Sequence, residues 1–375
     1  MKQNKTVYII LSTSGVGGAE KRFLELWLFM QKKGVKGIKL VLSKETFTKL
    51  IANNTQFPQL ENYMKNIIFW EFGNSYLKKR DKMKKFMFKY HLNNTIFHFI
   101  LTFPIMIPSK YNTILTYPST AISYMNLKGQ IITYLSFLKA KKIDMLDPTL
   151  YKLLQKYFFW KKRSFTNTPG SFVDTNFYTS APIEKKKNWL VFLGRFEEVK
   201  QILIFAKSIP SIYKKLKEDG VKDIHFFILG KGSLEEELKC IILSKEFEQI
   251  PLKIYFDNEP MNILKYSRIF FSLQKYTNYP SKSLLEAISC GNIPIVTDNR
   301  DTRLIADKDF SFYVPENFTP QDLVNACTKV FKLDNNEYNK MIEKEITFLK
   351  QNFSIESSLD YYLDIYEKEF NANKV

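Results

Sequence analysis

With 375 residues the chain is too long for one ordinary domain and suits two. Its 45% hydrophobic content can fill substantial cores, and three cysteines far apart, Cys240, Cys290 and Cys327, exclude a disulfide framework and cysteine-type metal spacing. The net charge of +18 sits in one half: residues 1–180 hold 28 Lys+Arg against 9 Asp+Glu, whereas residues 181–375 hold 28 against 29. A half so basic expects an anionic partner, either phosphate-rich lipid or nucleic acid. Met1 to Thr6 is polar and Val7 to Leu11 is too short for a signal-peptide core. The longest apolar stretch, Thr95 to Pro108, contains His98 and Pro104 and does not read as a membrane-spanning helix.

In chain order, a strand is expected over Thr6 to Leu11. The turn Gly15-Val16-Gly17-Gly18-Ala19-Glu20 and an amphipathic helix to about Lys33 follow. Further strands are expected at Ile38 to Leu42, Ile67 to Phe72, Thr95 to Leu101 and Asn112 to Thr116, with helices between them. The glycine turn lacks the third spaced glycine of a dinucleotide fingerprint, which argues against a nicotinamide site. Tyr76 to Tyr90 interleaves Lys78, Lys79, Arg80, Lys82, Lys84 and Lys85 with Leu77, Met83, Phe86 and Met87. That composition suits an interfacial helix on anionic lipid, and equally a solvated helix packing its apolar stripe on its own domain. Trp160-Lys161-Lys162-Arg163 can add to the same basic face.

Ser164 to Pro182 is rich in Ser, Thr, Asn and Pro and reads as a boundary. The alternation then restarts: strand Trp189 to Leu193, helix Lys200 to Leu216, strand Ile224 to Leu229, helix Ser233 to Leu243, strand Leu252 to Phe256. Strand Ile269 to Leu273 runs into Asn278-Tyr279-Pro280-Ser281-Lys282-Ser283-Leu284-Leu285-Glu286, a loop that opens a helix ending at Gly291. Strands Ile293 to Val296 and Phe310 to Val314 and a last helix, about Ile355 to Phe370, complete the pattern. Alternating strands and helices predict parallel sheets covered on both faces, an α/β fold. In such sheets a polar loop entering a helix is where anions bind. Glu286 stands in apolar company and needs a partner, either a ligand hydroxyl or a nearby Lys or Arg. Arg195 and Lys200, in Gly194-Arg195-Phe196-Glu197-Glu198-Val199-Lys200, offer a planar fork and a point charge suited to a diphosphate. Gly230-Lys231-Gly232 is a tight turn after a strand. Asp307-Lys308-Asp309 reads as a surface turn, not a metal site.

Together these elements resemble glycosyltransferase family 4, retaining enzymes of the GT-B fold, over nearly the full length and most strongly from Asn188 to Ile305. The resemblance implies two Rossmann-like domains facing each other across a cleft. Residues 1–178, with the returning C-terminal helix 355–375, would bind the acceptor, and residues 179–354 the nucleotide-sugar donor. It implies donor-diphosphate contacts from Gly194, Arg195 and Lys200, close approach at Gly230 and Gly232, and phosphate contacts from the backbone of Pro280, Ser281, Lys282, Ser283 and Leu284. It assigns Glu286 to the donor ribose and sets Gly17 and Gly18 facing the donor. No metal and no cofactor are implied. Two positions depart from the family: Asn278 stands where the first glutamate of a pair is usual, and Thr116-Tyr117-Pro118 lacks the usual histidine. His98, on an earlier strand, reads as structural.

The expected activity is retaining transfer of a sugar from a UDP- or GDP-linked donor to a lipid-linked or glycan acceptor in cell-surface polysaccharide synthesis. Arg195, Lys200, Glu286 and Asn278 form the expected catalytic set. The expected setting is cytoplasmic, peripheral on an anionic membrane surface, with no nucleic-acid partner. A non-catalytic partner subunit, a sugar-nucleotide epimerase and, more remotely, a nucleic-acid-binding protein are the alternatives.

Overall fold

A computed structural model of the chain describes residues 5–12, 18–52, 60–73, 75–92, 94–100, 110–117, 127–255 and 260–372. They divide into two compact units, Met1–Ser171 with Ile355–Val375, and Phe172–Ser354.

In the first unit the order is β1 (Thr6–Leu11), α1 (Gly18–Lys32), β2 (Ile38–Leu42), α2 (Lys44–Ala52), β3 (Ile67–Phe69), α3 (Tyr76–Tyr90), β4 (Thr95–Ile100), β5 (Thr113–Tyr117), α4 (Leu127–Lys139), β6 (Lys142–Met145), α5 (Pro148–Tyr157) and β7 (Phe165–Asn167). The strands form one sheet in the order β3-β2-β1-β4-β5-β6-β7, every pairing parallel. Runs such as Val7 to Leu11 are apolar on both faces because helices cover both sides of the sheet.

The second unit holds β8 (Trp189–Leu193), α6 (Ile202–Glu218), β9 (His225–Leu229), α7 (Glu235–Ile242), β10 (Leu252–Tyr255), α8 (Met261–Leu264), β11 (Ile269–Ser272), α9 (Lys282–Ser289), β12 (Ile293–Thr297), β13 (Phe312–Val314), α10 (Pro320–Phe331) and α11 (Asn335–Asn352). Its sheet runs β10-β9-β8-β11-β12-β13, again parallel throughout. Relative to chain order this is 3-2-1-4-5-6, the Rossmann order, with the reversal between β8 and β11. Capping boxes at Thr319–Asp322 and Asp334–Glu337 start α10 and α11.

The final helix α12 (Ile355–Ala372) belongs to the first unit and is held there by buried polar contacts. Asp144 of β6 is fully buried. Its Oδ1 accepts from the Tyr361 hydroxyl at 2.6 Å, and its Oδ2 accepts from Thr116 at 2.8 Å and Tyr362 at 2.9 Å. These donors make an aspartate tolerable inside a strand, and they explain why β6 was not expected from periodicity. β7 was missed for a different reason: its three residues lie within the polar stretch read as a boundary.

His98 is also fully buried, between Thr116 Oγ1 at 2.7 Å from Nε2 and the Tyr366 hydroxyl at 2.8 Å from Nδ1. Thr116 gives its proton to Asp144, so Nε2 must donate and Nδ1 accept, which fixes one neutral tautomer. Burial first, and the Arg22 charge second, hold the imidazole down to about 3. The unfolded chain takes up a proton near pH 6.5 that the native state refuses, so this residue removes stability as pH falls from about 6.5 toward 3. Asp144, raised by burial, contributes the opposite slope below its own pKa. The difference in unfolding free energy between wild type and His98→Gln should therefore shrink by about 1.4 kcal/mol per pH unit below about 6.5, read from denaturant melts at several pH values.

Candidate donor site in the second unit

The loops following β8 and β11 emerge side by side, because Leu190 pairs with Ile269 and Phe192 with Phe271. A backbone bond from Lys275 N to Val199 O at 2.9 Å ties the two loops together beyond the sheet edge. The reversal point of the sheet thus gathers Gly194, Arg195 and Lys200 from one strand and the segment 277–286 from the other. A crevice at this place is the usual ligand position in such sheets.

Lys200 ends a short 3-10 turn, Glu198–Lys200, and runs back past Gly194, with Cδ 3.9 Å from where a Cβ on that glycine would stand. Its ammonium has no hydrogen bond or ion pair among the described residues. Burial and the neighbouring Arg195 charge lower it to about 8, with Glu197 opposing. Arg195 differs: its side chain is 71% exposed and already meets Glu197 at 2.7 Å.

Gly230 and Gly232 serve the shape of this edge. A Cβ on Gly230 would come within 1.9 Å of Gly194 O, and one on Gly232 within 2.5 Å of Phe196 O. Phe196 N donates to Lys231 O and Leu234 N to Phe196 O, each at 3.0 Å, so the turn is stitched to the Gly194–Phe196 backbone. The close approach is therefore between two protein backbones. Gly230→Ala should cost about 3 kcal/mol in unfolding free energy, measured by chemical denaturation, since neither backbone can yield cheaply.

The α9 start is built from Ser281, whose hydroxyl caps Leu284 N at 3.4 Å and lies 3.2 Å from the Ser283 hydroxyl. Pro280 precedes it through a cis peptide bond from Tyr279. Leu284 points into the core. Glu286, nearly buried, accepts from the Tyr178 hydroxyl at 2.9 Å through Oε1, and Lys282 Nζ stands 3.7 Å from the same oxygen. The Lys282 ammonium also lies 5.2 Å over the Phe172 ring. Both answers to the question of a partner for Glu286 are thus compatible: one oxygen is paired, and Oε2 accepts no hydrogen bond from the described residues.

Asn278 is placed differently from the other expected catalytic residues. It is fully buried; Nδ2 donates to Thr297 O, Thr297 Oγ1 and Thr302 Oγ1 at 3.0–3.1 Å, and Oδ1 accepts from Ser272 at 2.7 Å. Its backbone N–H also reaches Thr302 Oγ1 at 3.1 Å. The amide is committed to the protein and locks the loop to β11 and β12.

Two groups important to the site were absent from the sequence reading. Tyr178 stands 108 residues before its partner Glu286, a separation at which no spacing rule operates. Thr302 lies in a 3-10 turn, Arg300–Leu304, with nothing in its neighbours to mark it. In the first unit, Gly18 opens α1, exposed and with open space around it, whereas Gly17 and Pro118 lie outside the described residues. The α3 cations Lys78, Lys82, Lys84 and Lys85 are exposed and Lys79 and Arg80 half-buried, but Met83, Phe86 and Met87 pack into the core beside Tyr8, Phe97 and Phe99. That part of the helix's apolar set faces its own domain, whereas Leu77 and Phe88 are exposed. Among the described residues, no helix is long and apolar enough to cross a membrane.

A Rossmann-order sheet with cations and a capped helix start at its reversal point is an arrangement suited to an anionic ligand. Residues 175–347, nearly the whole of the second unit, match the family described as Glycosyl transferases group 1. Among curated proteins, the chain is 25% identical over 134 residues to an N-acetylgalactosaminyltransferase of Campylobacter jejuni that acts on a diphospho-undecaprenol-linked sugar. The match covers 35% of this chain and spans about a third of that relative, 34% of its length. Two solved structures share the fold across nearly the whole chain. Anabaena HepE in complex with UDP-glucose is 10% identical, with a TM-score of 0.72 over 97% of this chain and 99% of that one. Sucrose-phosphate synthase from Thermosynechococcus elongatus is 11% identical, with a TM-score of 0.75 over 98% and 100%. The architecture is that of GT-B glycosyltransferases.

Proposed function

We propose that the chain is a retaining, metal-independent glycosyltransferase of family 4 that moves a sugar from a UDP-linked donor to a lipid-linked acceptor in cell-envelope polysaccharide synthesis. The observation that carries this reading is the meeting of Lys200, Arg195 and the Ser281-capped start of α9 at one sheet edge, with Glu286 four residues beyond Lys282. A cation without a partner among the described residues and a row of helix-start N–H groups suit the charge that develops on a leaving diphosphate. Glu286, oriented by Tyr178 and Lys282 through one oxygen, keeps the other for a ribose hydroxyl. In this reading Asn278 acts by fixing the loop. The acceptor proton passes to the leaving phosphate. The UDP assignment draws support from the UDP-glucose complex of the HepE fold relative, and the lipid-linked acceptor from the undecaprenol-linked substrate named for the Campylobacter relative. The excess charge of the first half suits docking on an anionic membrane on the cytoplasmic side.

A panel of UDP- and GDP-sugars tested for thermal stabilisation checks the proposal. One UDP-sugar should raise the melting temperature, and Glu286→Ala should reduce that rise. No stabilisation by any member would overturn it. The uncharged Asn278 favours one second reading, a partner subunit that binds donor and transfers nothing. Stabilisation without turnover of any donor would support that one instead.

A further inference from the structure

On α3 Met83, Phe86 and Met87 are buried while Leu77 and Phe88 stand exposed singly among lysines, and the first unit carries elsewhere a longer apolar face that the described residues leave exposed. On α4, Leu127, Ile131, Leu135 and Leu138 recur at helical spacing and are all exposed, Leu127 at 73%. At the end of α4, Lys161 Nζ donates to the carbonyls of Phe137, Leu138 and Ala140 and so fastens the 3-10 turn Phe159–Ser164 against it. That turn presents Phe159, 73% exposed, and Trp160, 63% exposed, with ring centroids 5.1 Å apart. On neighbouring α5, Leu153 and Tyr157 are exposed one turn apart. Single exposed leucines are ordinary, but a stripe along one helix continued by two large aromatics is not.

Charge selects the occupant. Residues 127–163 contain nine Lys and Arg and two acidic residues, Asp144 and Asp147, and both acids are buried. Within residues 127–163, then, basic groups surround an apolar centre and no carboxylate is exposed, the nearest acid from another element being the half-buried Glu369 of α12 beside Lys141 and Lys142. A protein partner would need an unusually acidic rim, whereas an anionic bilayer offers hydrocarbon and phosphate together. Trp and Lys at its margin suit the headgroup level. We propose that the face of α4, with Phe159 and Trp160, inserts into the headgroup region of an anionic phospholipid bilayer, and that α3, whose exposed Leu77 and Phe88 form no continuous stripe, contributes mainly charge. This rests on the membrane reading above and assigns it a surface.

Co-sedimentation with vesicles of phosphatidylcholine, with and without phosphatidylglycerol, tests it. Wild type should bind the anionic vesicles and bind neutral ones far less. The double variant Ile131→Ser with Leu135→Ser, and separately Trp160→Ser, should each weaken binding about tenfold, because insertion scales with buried apolar area. Lys82→Gln with Lys84→Gln on α3 should weaken it less. Stabilisation by the UDP-sugar should be the same in all of them, so loss of docking is separable from loss of the donor site. Failure of wild type to bind, wild-type binding by the α4 and Trp160 variants, or loss confined to the α3 variant would each overturn the proposal. A wild-type dimer in the absence of vesicles that the α4 variant converts to monomer would also overturn it, making this face a contact between copies.

Discussion

Lys200→Ala is expected to lower sugar transfer by about a hundred- to a thousandfold, whereas Arg195→Ala should cost several times less. The two cations are neighbours, but their states differ. Arg195 is exposed and shares its charge with Glu197, so part of its field is spent and water screens the rest. Lys200 is packed beside Gly194, has no acidic partner within ion-pair distance among the described residues, and is lowered to about 8 by burial and by Arg195. A diphosphate arriving there would restore the proton that burial disfavours. Affinity for UDP should accordingly be nearly constant below about pH 8 and fall about tenfold per unit above it. Titration calorimetry at pH 8 in buffers of different ionisation enthalpy should register proton uptake on binding. Affinity unchanged between pH 7 and 9.5 would remove Lys200 from the diphosphate site.

Asn278→Asp should lower unfolding free energy by about 3–5 kcal/mol, and the melting temperature of the second unit by about 10 °C. The side chain has no exposure. Its amide donates to a carbonyl, Thr297 O, which would face a carboxylate oxygen after the substitution. Lone pairs would then meet lone pairs, and a buried charge would have only hydroxyl partners. The same reasoning applies to Asn278→Glu, which adds a methylene as well. A glutamate cannot simply be placed at this position, since Thr297, Thr302 and Ser272 have closed around an amide. A variant with wild-type stability would show that the loop opens readily.

Much of the fold was legible because parallel strands buried on both faces are apolar runs between amphipathic helices. Thr6–Leu11, Ile38–Leu42 and Trp189–Leu193 have the expected bounds. Where a strand carries a charge, as at Asp144, the pattern fails, since the compensating hydroxyls of Tyr361 and Tyr362 come from the other end of the chain. The helix Tyr76–Tyr90 shows a related limit. Its composition suits either a membrane or its own core, and only packing distinguishes the two. At the candidate site, the sequence singled out Lys200, Ser281 and Glu286. It could not tell that Glu286 has one oxygen occupied by Tyr178, nor that Asn278 faces inward, because both depend on residues brought in by topology.

The attachment of α12 to Asp144 and His98 sets an order of assembly. A ribosome finishes the second unit's segment, Phe172–Ser354, before it makes the helix that supplies Tyr361, Tyr362 and Tyr366 to the first. The half synthesised first is thus completed last. Until then its buried aspartate and histidine lack three of their hydroxyl partners, and the basic, aromatic-rich half of the nascent chain must wait for its own end.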